Sequence, residues 1–305
     1  MCENPLFSIL CTNFNNGPYI RTMVDSVLAQ TYQNWELIFV DDGSSDDSAS
    51  IISEYYDPRI RTEFLQQNQG AGAAAEIAAL MSRGQILGRL DADDALTPDA
   101  ISVMIQTHQS NPDVSLITSQ IISCSPNLVP TDTSWYKNKP VPPGSCILKN
   151  PTVGHFATFK RSAYDTCSGF NRTLKRAVDL DLYLKLEETG LILMIPNKLY
   201  LYRKNPNGIS QGCNGILAQA LAYQVMIDAH FRRTKSGADN NIPRGTASKL
   251  RLKQHQIELH QKYTGASAVL SFWKAIRLFP ELAINPTMWR NTLSAIARKT
   301  RQQKR

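Results

Sequence analysis

The sequence predicts an α/β protein, a mostly parallel central sheet flanked by helices, continued by an all-helical C-terminal extension. Three observations carry this. Short strand-like apolar runs alternate with helix-periodic segments through the first third of the chain, the pattern of βαβ units. Two of these runs end in carboxylate-rich turns, "VDDGSS" and "LDADD", and open α/β sheets bind ligands just beyond the carboxyl ends of their strands. Beyond residue 214 the strand signals stop and the pattern becomes helical throughout.

"LFSILCTNF" (6–14) reads as the first strand. "YIRTMVDSVLAQ" (19–30) places Ile20, Met23, Val24, Val27 and Leu28 at helical spacing. "WELIFV" (35–40) is a second strand, after which Ser44 or Ser45 is expected to cap the helix "ASIISEYY". "RIRTEFLQ" (59–66) reads as a third, more exposed strand. The small-residue stretch "GAAAEIAALMSRG" is a helix, and "QILGRL" (85–90) a fourth strand that delivers Asp91, Asp93 and Asp94 at its carboxyl end.

Composition bounds the function. The chain has 305 residues, 42% of them apolar, enough for a large α/β domain and an accessory segment. Six cysteines without CxxC pairing, and few histidines, indicate neither a zinc site nor a disulfide scaffold; they read as reduced, mostly buried thiols. The N-terminus has no basic stretch ahead of its short apolar run, and no uncharged apolar window of about 18 residues occurs. A cytoplasmic location is expected. The net charge of +7 is uneven: residues 1–214 carry 17 Lys/Arg against 22 Asp/Glu, and residues 215–305 carry 16 against 4. The two parts therefore face different partners.

"GAGAAA" (70–75) matches the GxGxxA dinucleotide pattern. That pattern belongs after the first strand of a βαβ unit, whereas here it opens the third, and the carboxylates that follow would repel a pyrophosphate unless a cation intervened. Small residues for close helix–sheet packing are the better explanation.

Three carboxylates in four positions repel one another unless a positive group sits among them or water reaches them. A divalent metal answers that requirement, because hard cations take oxygen ligands and need only one or two carboxylates plus substrate phosphates.

The ordered set "SILCTNFN…SVLAQTYQNWELIFVDDGSSDDS…NQGAGAAA…GQILGRLDADDALTPDAI" resembles the nucleotide-binding half of inverting glycosyltransferases of family 2, with the GT-A fold. "FATFKRSAYDTCSGFN", "RAVDLDLYLKL" and "YRKNPNGIS" extend the resemblance more loosely to about residue 210. It implies a Rossmann-like GT-A catalytic domain over 1–214, with a nucleotide-binding half to about 110 and an acceptor half over 111–214, followed by a basic α-helical region over 215–305.

The resemblance also implies roles. "DAD" at 91–93 corresponds to the DxD motif, with Asp93 a direct ligand of Mg²⁺ or Mn²⁺, Asp91 nearer the ribose and also in the metal set, and Asp94 beside them as a supporting group or a further ligand. Asp41 and Asp42 hold the base and ribose, where a carboxylate accepting the imide N–H favours uracil, and Thr12 joins the same cradle. Asp179 matches the catalytic base, which takes the acceptor hydroxyl proton. Asp181 lies two positions on, so on a helix it diverges by about 200° and is expected as a surface charge or dipole partner.

The chain departs from the family pattern at several points. Ala74, Ala75 and Glu76 stand where an Arg is usual, Val178 replaces an acidic neighbour of the base, and Asn205 replaces a His, although Arg203 remains to meet phosphate charge. No QxxRW motif of processive synthases occurs, which favours transfer of a single sugar.

The implied activity is metal-dependent transfer of one sugar from a nucleotide-sugar donor, UDP-linked, to a hydroxyl of a glycan or lipid-linked acceptor. A non-catalytic sugar-nucleotide-binding scaffold of the same fold is the alternative, since Ala75, Val178 and Asn205 are unusual. A nucleotidyltransferase would need a richer Gly/Arg/Lys loop than "TNFNNGPYIR". Specificity is expected in the Pro-rich 125–155 stretch, whose course the sequence does not predict. The basic C-terminal helices suit an anionic membrane surface at the inner face of the cell membrane, or packing on the catalytic domain, or a homodimer. No nucleic-acid-binding signature accompanies their charge.

Overall fold

The computed structural model describes residues 4–131, 139–142, 145–151, 153–205, 208, 213–261 and 266–302. The chain divides into two compact units, Met1–Gly208 and Ile209–Arg305.

The first unit opens with β1 (Phe7–Asn13), α1 (Gly17–Leu28), β2 (Trp35–Asp41), α2 (Ser48–Ile52), β3 (Ile60–Phe64), α3 (Ala71–Met81) and β4 (Ile86–Arg89). β3, β2, β1 and β4 lie side by side and all pair in parallel. β2 and β4 are buried along their whole length and β1 at all but Thr12, which is why they read as continuous apolar runs; β3 is the edge strand and is half open to solvent. Helix α1 buries Ile20, Met23, Val24 and Val27, the predicted stripe, while Leu28 packs at its margin.

The expectation of a Ser44 or Ser45 cap is wrong. Helix α2 begins at Ser48, and the carboxylate of Asp46 accepts from the Ser48 backbone N–H (3.1 Å) and hydroxyl (2.5 Å). Ser44 instead accepts from the Asn15 backbone N–H (2.8 Å), because the loops after β1 and β2 must meet at the sheet rim.

After β4 come β5 (Ala95–Leu96), α4 (Ala100–Ser110), β6 (Val114–Cys124), β7 (Ala157–Lys160), α5 (Arg161–Thr166), α6 (Val178–Leu186) and β8 (Leu191–Arg203). The eight strands run in the order β3-β2-β1-β4-β7-β6-β8-β5. β7 is antiparallel to both β4 and β6, and β8 is parallel to β6. With β7 the only reversal between β4 and β8, the carboxyl ends of β1, β2, β4, β6 and β8 and the amino end of β7 all fall on one rim. A core of Phe7, Ile9, Trp35, Leu37, Phe39, Met104, Phe156 and Tyr200 lies beneath that rim. Part of the Pro-rich stretch, 132–138 and 143–144, and 206–207 and 209–210 of the "YRKNPNGIS" segment lie outside the described residues.

The second unit is helical: α7 (Cys213–Ser236), α8 (Arg244–Gln261), α9 (Ala266–Leu278), a 3-10 turn (Pro280–Ile284) and α10 (Pro286–Gln302). α8 packs against α7, α9 and α10. The His255 ring on α8 bonds Ser271 of α9 through Nδ1 (2.7 Å) and Thr292 of α10 through Nε2 (2.9 Å). Burial, then the nearby Arg251 charge, lowers its pKa to about 4, so it joins the three helices as a neutral imidazole. Cys11, Cys124, Cys146 and Cys167 are free thiols, and no helix among the described residues is long and apolar enough to cross a membrane.

Candidate active site

The rim gathers most of the predicted site residues. Asn13 ends β1 and pairs in register with Asp41, the last residue of β2. The Asp41 carboxylate accepts from Asn13 Nδ2 (2.7 Å) and from the Ser44 backbone N–H (2.8 Å), which fixes the turn after β2. The Asp42 carboxylate accepts the backbone N–H groups of Gln69 (2.7 Å) and Gly70 (2.9 Å). Both side chains are buried, so the pair is anchored on the protein side by four donors before any ligand arrives. Thr12 sits one position earlier on β1, partly exposed, opposite Val40.

Those Asp42 contacts explain the small-residue stretch. They hold the entry to α3 at Gly70, whose φ of +99° suits glycine. A Cβ on Gly72 would overlap the carbonyl oxygens of Asn171 and Leu174, and the Gly72 N–H donates to the latter (2.9 Å). Ala74 and Ala75 are buried, so the face that would carry the family's arginine is closed. The 171–177 segment brings its own cations to this end of the helix: Lys175 lies against Gly70, and Arg172 is 3.6 Å from Glu76.

Three carboxylates follow β4, and they have three different surroundings. Asp94 is buried; its oxygens accept the Tyr200 hydroxyl (2.8 Å) and the Arg203 backbone N–H (2.7 Å). Burial, then the charges of Asp93 and Asp91, push its pKa well above the usual carboxylate range. Asp93 accepts from Asn205 Nδ2 (2.7 Å), and burial followed by the Asp91 charge raises its pKa too. The Asp91 side chain remains about a third exposed (31%). The residue standing in place of the family's histidine thus turns directly to Asp93.

Arg203 is buried at the end of β8. Its guanidinium donates from Nε to the Asp93 carbonyl and from Nη1 to the Pro126 carbonyl (both 2.5 Å), and it lies over the Tyr19 ring at 4.6 Å. Its Nη2 has no hydrogen-bond partner among the described residues.

Two residues that the sequence did not single out complete the rim. Arg89, the last residue of β4, pairs with Asp91 (2.9 Å) and with Asp179 at the start of α6. His155, just before β7, lies 3.6 Å from Asp91 and stacks on Tyr200 and Tyr202 (centroids 5.0 and 5.7 Å apart). Burial lowers its pKa against the opposing pull of Asp91. A signal for Arg89 was present: in an extended chain residues i and i+2 share a face, so a basic residue two before Asp91 points the same way. For His155 there was none, because the insertion of β7 beside β4 is a long-range event.

Asp179 and Asp181 diverge as the helical angle requires. The surface role expected for Asp181 is corrected: it is 5% exposed and pairs with Lys185 (2.7 Å), because that face of α6 turns inward. Ala177, preceding α6, holds φ +56°, a left-handed conformation unfavourable for a residue with a Cβ. It turns the chain so that Asp179 meets Arg89.

The donor set fits a hard divalent cation. Asp91 keeps a carboxylate about a third exposed, and Asp93, partly buried and bonded to Asn205, is penalised for ionising beside it until a positive charge is near, whereas both Asp94 oxygens are already engaged.

Residues 8–168 match the model of the family described as "Glycosyl transferase family 2". The chain is 34% identical over 189 residues to a chondroitin synthase of Escherichia coli, covering 61% of this chain and 27% of that protein. It is 30% identical over 190 residues to a hyaluronan synthase of Pasteurella multocida, covering 61% of this chain and 19% of that protein. It therefore spans only about a fifth to a quarter of these relatives' length. Among solved structures, S. aureus TarS 1-349 in complex with UDP-GlcNAc superposes with a TM-score of 0.65 at 16% identity, covering 90% of this chain and 82% of that one. Mannosyltransferase PcManGT from Pyrobaculum calidifontis, in complex with GDP-Man and Mn²⁺, gives 0.57 at 15% identity, covering 96% and 86%. These likenesses establish the GT-A fold, and the match over more than half its length makes the chain a member of glycosyl transferase family 2.

Proposed function

We propose that the protein transfers a single sugar, with inversion, from a UDP-linked donor to a hydroxyl of a growing surface glycan or glycolipid. The observation that carries this is the Arg89 bridge, which brings the Asp91 carboxylate and Asp179 to one guanidinium. A leaving-group site and a base must lie on opposite sides of one anomeric carbon for in-line displacement.

Magnesium or manganese held by Asp91 and Asp93 would supply positive charge to the departing diphosphate. Arg203, at the end of β8 beside Asp93, would add its positive charge to the same stabilisation. Asp41 and Asp42, with Thr12, receive the base and ribose. Asp179 accepts the proton of the acceptor hydroxyl as its oxygen bonds to the anomeric carbon and the bond to the diphosphate breaks. Asp94 supports the ligands through Tyr200 and Arg203.

The uracil reading rests on the Asp pair ending β2 and is supported by the TarS structures in complex with UDP-GlcNAc and with UDP. The glycan acceptor is supported by the names of the chondroitin and hyaluronan synthases. A cytoplasmic site of action, peripheral to the inner face of the cell membrane, fits the free thiols. The test is radiolabelled transfer to an acceptor panel with Mn²⁺. Asp93→Ala and Asp179→Asn should each lose at least about a hundredfold in kcat with melting unchanged; full turnover in either removes that residue from its role.

A further inference from the structure

We propose that the outer face of α9 and α10 is a docking surface for an anionic lipid bilayer. Val269 and Trp273 are four apart on α9, and Trp289 and Leu293 are four apart on α10, so each pair shares one helix face. All four are exposed, at 37, 59, 46 and 59% respectively. Phe272, buried between the helices, joins the two pairs: its ring centroid lies 5.7 Å from that of Trp273 and 4.5 Å from that of Trp289. Ser271 of α9 and Thr292 of α10 are buried instead, and both bond to His255 of α8. The apolar pairs therefore point away from the three-helix core. Leu270 (56% exposed) and Ile284 (86% exposed) add further apolar surface on α9 and the turn that follows it. Exposed tryptophan and aliphatic side chains in this density, on a helical unit, mark an interaction site rather than ordinary surface.

Charge selects the occupant. Lys274, Arg277 and Arg290 are exposed on the same two helices, and the terminal sequence "RKTRQQKR" (298–305) adds five basic residues and no acidic one. Residues 215–305 carry 16 basic against 4 acidic residues, so a second copy would bring like charge against like. A nucleic acid would meet the charge yet leave Val269 and Leu293 in water. A bilayer with anionic headgroups satisfies both features: the apolar side chains enter the interface while the basic ones meet the headgroups. Since no described helix is long and apolar enough to cross a membrane, the helices lie along the surface.

The proposal is independent of the donor and acceptor, and its test reads binding rather than transfer. The full chain is sedimented with vesicles of phosphatidylcholine alone and of phosphatidylcholine mixed with phosphatidylglycerol. Partition should favour the mixed vesicles by at least about tenfold, fall at high salt, and shift tryptophan emission to the blue. Val269→Ser combined with Leu293→Ser, Trp273→Ser alone, and Lys274→Glu combined with Arg277→Glu and Arg290→Glu should each lower it by about tenfold at unchanged melting temperature. Three variants are used so that one failing to fold leaves two readings. Equal binding to both vesicle types, or undiminished binding by the folded variants, overturns the proposal. So does a lipid-free dimer that the same substitutions dissociate, or RNA binding that depends on the same apolar residues.

Discussion

Arg89 shows how much one side chain decides here. It is nearly buried, and its guanidinium holds two carboxylates that come from distant parts of the sequence. Shortening it removes the fork that positions Asp179 and leaves two like charges facing each other across the gap. Arg89→Ala should therefore lower kcat by roughly a hundredfold, the loss expected of about 1 Å of misplacement. Arg89→Lys should recover little, because a point charge does not reproduce a planar fork between two carboxylates. Steady-state kinetics at saturating donor check this, and unchanged kcat in Arg89→Ala would show that Asp179 is positioned without it. The carboxylates of 91–94 were legible from sequence as a group, but their different roles were not. Asp94 became a support, and Asp93 a partner of Asn205, only once β8 was laid beside them.

At the scale of elements, α6 holds the clearest local cost. Ala177 takes a left-handed conformation to begin the helix, a strain of about 1 kcal/mol for a residue with a Cβ. Ala177→Gly should leave melting unchanged or raise it slightly, the relief being partly offset by added unfolded-state entropy. Ala177→Val should destabilise by about 1–2 kcal/mol and lower kcat, since bulk at Cβ worsens the strain and shifts Asp179. Denaturant melts with paired kinetics would show it; equal stability of the Gly and Val forms would mean the backbone relaxes freely. The apolar strands and α1 were readable because their periodicity is local. The inward turn of Asp181 was not, because nothing local says which face of a short helix is covered.

Across the whole molecule, acid should weaken both units. The folded-state pKa of His255 lies near 4 and that of His108 near 3, both depressed from 6.5 by burial. Each is then neutral in the folded chain while the unfolded chain binds a proton, so stability is complete above pH 6.5 and falls as pH drops toward 4 and 3 respectively. Melting temperature should decline through that window, and less steeply in His255→Gln, which can keep one of the two hydrogen bonds without titrating. Identical slopes in the two proteins would show that His255 is not the group responsible.

The sequence by itself determined the parallel half of the sheet, the carboxylate clusters at its strand ends, and the helical basic region, because periodicity, turn chemistry and composition are properties of neighbouring residues. Only the tertiary structure decided that β7 runs antiparallel between β4 and β6, that His155 and Arg89 border Asp91, and that Val269, Trp273, Trp289 and Leu293 of α9 and α10 stay exposed. Those contacts join residues far apart in the chain. Their formation depends on loop closure and on competition for buried surface, which no local window of sequence encodes.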